Sequence, residues 1–453
     1  MKLRAYILIF TACLLVSCNR SEFSVKKPNI LFLMLDTLRA DHLSGYGYER
    51  ATSPNLDVFA SENLKAEFAV STAPWTPTSV ASMFTGLYPS SHGMTPPNGR
   101  DLAKSKMTRL AKSHVTLAEI LKAHDYKTSA ITPNPWIIPE FGYSQGFDDY
   151  LFSREKAASK ISELGKKAIE NLVQNSPEKP FFLYLHFFDP HHPYSPPAEF
   201  RDNFSGPLTK SQFSYDAKMQ REIDLYDGEI SYLDSELGKL FEYLKSKNLY
   251  EDLFIIVVSD HGEQFKEHGS IRHGNNLFNE EIHVPLIIKT GRASDIGRKI
   301  KETVSTIDIL PTVLHRIGLS PAPNLPGVSL MNEDAVKNRK GVMSEIRRFL
   351  DRKSLTDGEG NRLIVEVPYD QNQFRAKDEF HSWSASQSVE IFDAQNEYAC
   401  KSPIKNLALQ ARLKGIFDET LASALKTSIS EEKSDSAVKD ETLDQLKSLG
   451  YLQ

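Results

Sequence analysis

"NILFLMLDTLRADHLSGYGY", residues 29–48, sets an apolar run, Ile30 to Leu35, directly against an aspartate. A continuous run of that kind is what a strand buried on both faces requires, because it has no polar side to show to water. A carboxylate at its end is costly to desolvate unless it is paired or bound to a metal. Comparable runs recur at 127–132, 181–188, 253–259 and 284–289. Helical patterns lie between them, the clearest through Met219, Ile223, Tyr226, Ile230, Leu233, Leu237 and Leu240, at alternating steps of four and three. Strands alternating with amphipathic helices argue an α/β fold: a mostly parallel central sheet with helices on both faces.

The chain of 453 residues has room for one large α/β domain and a smaller one. After "PNLPGVSL" (323–330) the texture changes to shorter strands at 362–367 and 388–393 and a helix over about 404–425. The resulting division is a catalytic domain over 28–330 and a small α+β subdomain over 331–426. A polar linker with a leucine-bearing docking segment then fills 427–453. A net charge of −5 without a basic cluster excludes a general nucleic-acid binder. At the N-terminus, Lys2 and Arg4 precede an apolar run, Ala5 to Val16, too short to span a bilayer at about 20 residues. This is the pattern of a signal peptide (1–17), and its end, Leu15-Val16-Ser17-Cys18, resembles a bacterial lipobox, followed by a tether over 18–27. Only Cys400 then remains beside Cys18 in the mature chain, which excludes an intramolecular disulfide and a Cys-rich metal site.

In an open parallel sheet, functional groups gather beyond the carboxyl ends of the strands. Those ends carry Asp36, Asp189 and the pair Asp260-His261. "PWTPTSVASMFTGLYPSSHG" (74–93) adds Thr76 at the mouth of a helix, where it reads either as an N-cap or as a nucleophile whose target anion is drawn by the helix N-terminus. Two aspartates, a histidine and a hydroxyl form a mixed oxygen and nitrogen donor set suited to one divalent cation. Such an ion would polarise an ester and lower the pKa of the threonine hydroxyl.

These blocks, with "HFFDPHHPY" (186–194), "VVSDHGEQFKEHG" (257–269) and "HGNNLFNEEIHVPLII" (273–288), resemble the successive signatures of the sulfatase family within the alkaline-phosphatase superfamily. "VSTIDILPTVLHRIG" (304–318), "VEIFD" (389–393) and "LKSLGYL" (446–452) are similar to its later landmarks, so the likeness covers about residues 28–452. The resemblance implies Asp36, Asp260 and His261 as metal ligands, and Thr76 at the nucleophile position, nine residues before Thr85-Gly86. It implies His191 and His273 as groups that hold the ester anion or protonate the leaving group. Arg39 and Asn134 are weaker substrate-binding candidates, and His186, Asp189 and His92 are expected to support or pack against the site. The aromatic stretch 131–150 reads as a pocket lining or as a surface Ω-loop.

Two departures from the family pattern bear on chemistry. Sulfatases carry Cys or Ser at the nucleophile position and convert it to formylglycine, which Thr76 does not allow. Many also show paired aspartates at the first strand end, where this chain has Thr37 after Asp36. The set resembles the threonine-nucleophile branch, which includes nucleotide phosphodiesterases and phosphoethanolamine and lipoteichoic-acid transferases. The sulfatase likeness implies calcium or magnesium as the ion, and the threonine branch implies zinc or manganese. The expected activity is hydrolysis of sulfate or phosphate esters, with a phospho-substituent transferase or phosphodiesterase as the alternative and a glycan-binding pseudo-sulfatase behind both. The expected partners are an anionic ester substrate (glycan, lipid or small molecule) and, through the anchor, a membrane. The expected location is a bacterial cell envelope, facing out of the cytoplasm. Replacing Cys18 with Ala is expected to leave an unprocessed, unlipidated precursor, seen as a mobility shift and loss of radiolabelled palmitate; normal processing would leave an ordinary signal peptide in its place.

Overall fold

The computed structural model describes residues 27–95, 108–209, 211, 213–321, 323–347, 351–367, 388–394 and 403–427. The expected signal peptide, Cys18 and the expected docking segment lie outside the described residues. The strand predicted at Ile30 is β1 (Asn29–Leu35), and its side chains alternate between two apolar cores. Ile30, Phe32 and Met34 enter one core, while Leu31, Leu33 and Leu35 enter the other. That alternation is why the run has no polar face: each side of the sheet is covered.

Among the described residues the main sheet has nine strands. They are β1, β2 (Leu64–Val70), β3 (Lys127–Thr132), β4 (Asp149–Phe152), β5 (Phe181–Phe187), β6 (Leu253–Ser259), β9 (His283–Lys289), β10 (Lys299–Ile300) and β11 (Val304–Ser305). The order is β10-β2-β9-β6-β1-β5-β3-β4, with β11 also pairing with β2. Strand β9 pairs antiparallel with both β6 and β2, and the other pairings are parallel. The long helix Ala217–Ser246 includes the predicted apolar face and packs on the core that holds Leu31, Leu33 and Leu35. Strands β7 (Gln264–Phe265) and β8 (Ile271–Arg272) form a short separate hairpin.

Strand β2 escapes an apolar-run reading because Lys65 and Glu67 interrupt it; they pair with each other 3.0 Å apart, and Lys65 lies over the Tyr46 ring. A second, antiparallel sheet joins β12 (Gly341–Arg347), β13 (Asp351–Asp357), β14 (Asn361–Val367) and β15 (Ser388–Asp393). It packs under the helix Leu407–Lys426. The last two strands match the sequence reading, but β12 and β13 were hidden by buried polar residues, among them the ion pair Glu345–Lys353.

The two sheets are joined through Asp308. Its carboxylate takes the backbone amides of Ser305 and Val328 at 2.9 and 2.8 Å and pairs with the buried guanidinium of Arg339, just before β12. Removing one partner of a buried pair leaves the other charge uncompensated, at a cost of about 3–5 kcal/mol. Asp308→Ala is therefore expected to lower unfolding stability by about that amount, read from the urea midpoint, and to cost far more than Ala at the exposed Glu419 of the Lys340 pair.

Candidate active site

The register of the central strands decides where the chemistry sits. Leu35 pairs with Ser259 across β1 and β6, and with Phe187 across β1 and β5. The next residues, Asp36 and Asp260, therefore emerge side by side, with His186 from β5 and Asn134 from just beyond β3 following along the same edge. All four are fully buried.

Asp36 Oδ2 accepts hydrogen bonds from Asn134 Nδ2 at 2.7 Å and His186 Nε2 at 2.9 Å. The far ring nitrogen of His186 lies 2.9 Å from the Tyr184 hydroxyl, so the imidazole is held at both edges. Burial opposes ionisation of Asp36, but the His186 hydrogen bond and the charges of His191, His186 and His261 outweigh it and hold the carboxyl well below the usual range. Asp260 Oδ1 accepts the amides of Thr37 and His261 at 3.1 and 2.9 Å, while its Oδ2 is buried with no hydrogen-bond partner. Burial and the Asp36 charge push the Asp260 carboxyl up.

His261 Nδ1 lies 2.9 Å from the Gly262 carbonyl, which can only accept, so Nδ1 carries the hydrogen and Nε2 presents its lone pair. Thr76 Oγ1 stands 3.0 Å from that Nε2 and 3.5 Å from Asp36 Oδ1. Thr76 does not cap the helix Thr76–Thr85: it is the first helical residue, and the capping position belongs to the extended Trp75, whose side chain makes no cap bond. The hydroxyl is thereby released from the backbone and directed into the site.

Asp36, Asp260 and His261 each offer one ligand atom, all within 4.8 Å of one another and all buried. The unpartnered Asp260 Oδ2 and the His261 lone pair suit a divalent cation, and Thr76 Oγ1 adds a further oxygen at the same place. The residues fit the ion that the sequence implied.

A family model described as sulfatase matches residues 28–319. The chain belongs to the sulfatase family. An ulvan-active sulfatase of Formosa agariphila is 25% identical over 83% of this chain and 83% of its own. A solved chain from glycosaminoglycan metabolism by Bacteroides thetaiotaomicron shares the fold with a TM-score of 0.74 at 16% identity, covering 88% of this chain and 97% of that one. A phosphonate monoester hydrolase of Agrobacterium radiobacter does so at 0.64 and 17%, covering 88% and 96%. The sulfatase family consists of ester hydrolases, and its members usually bind a divalent metal.

Of the other candidates, His273 and His191 complete a file of rings with His261: centroids are 4.4 Å apart for His261–His273 and 5.2 Å for His191–His273. His273 Nδ1 is 3.0 Å from Glu263 Oε1, and Glu263 Oε2 accepts the Tyr194 hydroxyl at 2.9 Å. Burial raises the Glu263 carboxyl, but the charge and hydrogen bond of His273 prevail and bring it down to about 2, so it remains ionised. Burial above all brings His191 down to about 4, leaving a neutral ring whose Nδ1–H donates to the His192 carbonyl at 2.6 Å. The backbone behind His273 is gathered by Glu281, which accepts the amides of Gly274, Asn275 and Asn276 at 2.7–3.1 Å. The sequence reading missed Glu263 and Glu281, since both lie in segments with many acidic residues and nothing in spacing separates them.

Arg39 is a bracing residue. Its guanidinium bonds Asp41, Glu267 and the Glu263 carbonyl. His92 bonds Ser82 and the Met94 amide. Within the stretch 131–150, Trp136 and Phe141 line a cleft with Trp75, Pro77 and Met94, beside the nucleophile position.

Asp189 anchors the His191 loop. It is buried against Glu229 of the long helix, receives the amide of Ala158, and shares the loop with Glu229, which takes the Ser195 amide at 2.6 Å. Burial first, and the facing Asp189 charge second, push Glu229 up to about 9, so the pair retains a proton at neutral pH. A carboxyl raised above its unfolded value stabilises the fold below the ordinary carboxylate range and loses that contribution as pH climbs toward about 9. Urea midpoints of the parent are expected to fall between about pH 5 and 9, and Glu229→Gln, which keeps a donor for Asp189 without titrating, is expected to flatten that fall.

Proposed function

We propose that the chain is a divalent-metal-dependent hydrolase of anionic sulfate or phosphate esters with Thr76 as the nucleophile. The observation that carries this reading is the placement of Thr76 Oγ1, within 3.5 Å of both Asp36 and His261, at the donor set that fits one ion. Asp36, Asp260, His261 and Thr76 would hold the ion, which when bound supplies Lewis-acid polarisation of the ester and acidifies the hydroxyl.

Thr76 Oγ1 attacks the central sulfur or phosphorus in line with the departing oxygen, forming a Thr-linked ester as the original ester bond breaks. His191 and His273 line the approach to the ester. Glu263, ionised and bound to His273 Nδ1, orients the ring that passes a proton from Nε2 to the leaving oxygen. Water then displaces the Thr76 oxygen in a second substitution at the same atom. Asn134 and His186 keep Asp36 in a single orientation throughout.

The glycan-directed name of the Formosa relative supports a sulfated or phosphorylated carbohydrate as substrate, with Cys18 holding the enzyme at the envelope surface. Among the described residues no helix is long and apolar enough to cross a membrane.

The second displacement sets the preference between the two ester types. A formylglycine hydrate expels sulfate by collapse to the aldehyde, because its carbon bears a second hydroxyl; the Thr76 carbon has none. A phosphoryl ester of Thr76 is cleared by in-line attack, for which positioning and electrostatic stabilisation suffice. The metal-loaded protein is expected to show a higher kcat/KM for an aryl phosphodiester or phosphonate monoester than for the matching aryl sulfate. Thr76→Ala is expected to abolish both, and Asp260→Asn to reduce turnover by about 10²–10³-fold. Chelation followed by add-back of calcium, magnesium, zinc or manganese identifies the ion. Undiminished turnover in the metal-free protein, or in Thr76→Ala, would refute the proposal.

A further inference from the structure

Lys156 lies between β4 and the helix Ala158–Asn175, at the same end of the sheet as the active site. Its ammonium sits 4.4 Å from the centroid of the Phe188 ring. The other neighbour of that ring is His191, with centroids 4.4 Å apart. A continuous file therefore runs from Thr76 through His261, His273, His191 and Phe188 to the Lys156 ammonium. The loop is tied to this file from below, since the Ala158 amide bonds Asp189 at the base of the His191 loop.

Lys156 is half-buried and has no carboxylate within ion-pair distance among the described residues. Its neighbour Glu155 turns instead to Lys160. Burial lowers the ammonium to about 8, and the carboxylate charge that acts against this is that of Asp36 in the active site. A cation partly stripped of water, resting on an aromatic face and lacking a counter-ion, is poised for an anion brought from outside. The contacts that link it to Thr76 run through Phe188, His191, His273 and His261 in turn.

We propose that Lys156 and the Phe188 ring form a second anion subsite, which takes a carboxylate or an additional sulfate carried elsewhere on the substrate. The substrate class is thereby narrowed to esters with at least two negative groups, such as sulfated sugars that also bear a uronate or a second sulfate. This rests on the reading of the site given under Proposed function, since it presumes that an ester anion occupies the histidine-lined centre. Lys156 acts here in binding, with no part in proton transfer.

The experiment compares two non-hydrolysable probes that differ by one carboxylate, benzenesulfonate and 3-sulfobenzoate, by calorimetry on the full-length parent and on Lys156→Met and Lys156→Arg. The parent is expected to bind 3-sulfobenzoate at least about tenfold more tightly, in keeping with a single partly desolvated charge pair. Lys156→Met is expected to remove that advantage and Lys156→Arg to retain most of it. Equal affinity of the parent for the two probes, or the same ratio in Lys156→Met, would overturn the subsite. A loss of equal size for both probes would overturn it too, because Lys156 would then be serving the reacting anion. Turnover of an aryl ester separates this from the functional reading. An inactive parent whose advantage is lost in Lys156→Met sinks the hydrolase and leaves the subsite. An active parent with an unchanged ratio sinks the subsite alone.

Discussion

Two carboxylates, Asp36 and Asp260, stand side by side at the ends of adjacent strands with no exposure to water. Left alone they would repel one another in a medium that screens poorly, and the surrounding architecture answers that repulsion. Asn134 and His186 saturate one oxygen of Asp36, and the amides of Thr37 and His261 saturate one oxygen of Asp260. The remaining edge, facing Thr76 and the His261 lone pair, is the one direction in which a positive charge is still called for. The site is thus a deficit built by the sheet, which an ion and an anionic ester can fill together.

Around that deficit the supporting layer is mostly carboxylate. Glu263 orients His273, Glu281 gathers the backbone behind it, and Asp189 with Glu229 anchors the His191 loop. Glu263 and Glu281 hold the segment of His273, and Asp189 with Glu229 the loop of His191, so the two rings are set by separate anchors. Errors in one loop need not propagate to the other.

The sequence reading located the strands that carry the centre because burial on both faces leaves uninterrupted apolar runs, as at β1, β5 and β6. It placed Asp36, Asp260, His261 and Thr76 from strand ends and from the family likeness. It failed where polar pairs replace apolar residues: Lys65 with the partly exposed Glu67 in β2, and the buried Glu345 with Lys353 across β12 and β13. Strand β9 was read as one of a largely parallel set, since an apolar run carries no sign of direction; its pairing with β6 and β2 is antiparallel. His186 was ranked with packing residues because its strand position says nothing of which neighbour its ring meets. Thr76 was read as cap-like, and only the backbone shows that Trp75 occupies that place.

The pairing of β1 with β6 has a kinetic consequence. It brings together segments 223 positions apart, as the Thr37–Asp260 contact records, with β5 closing the other flank of β1. Contacts of such long sequence separation form late, because the intervening chain must first surrender its freedom. During synthesis β1 emerges from the ribosome long before either neighbour exists, an apolar ribbon with both edges unsatisfied. A nascent chain of this topology needs shielding until about two-thirds of it has been made, and an exported one needs it on both sides of the membrane it crosses.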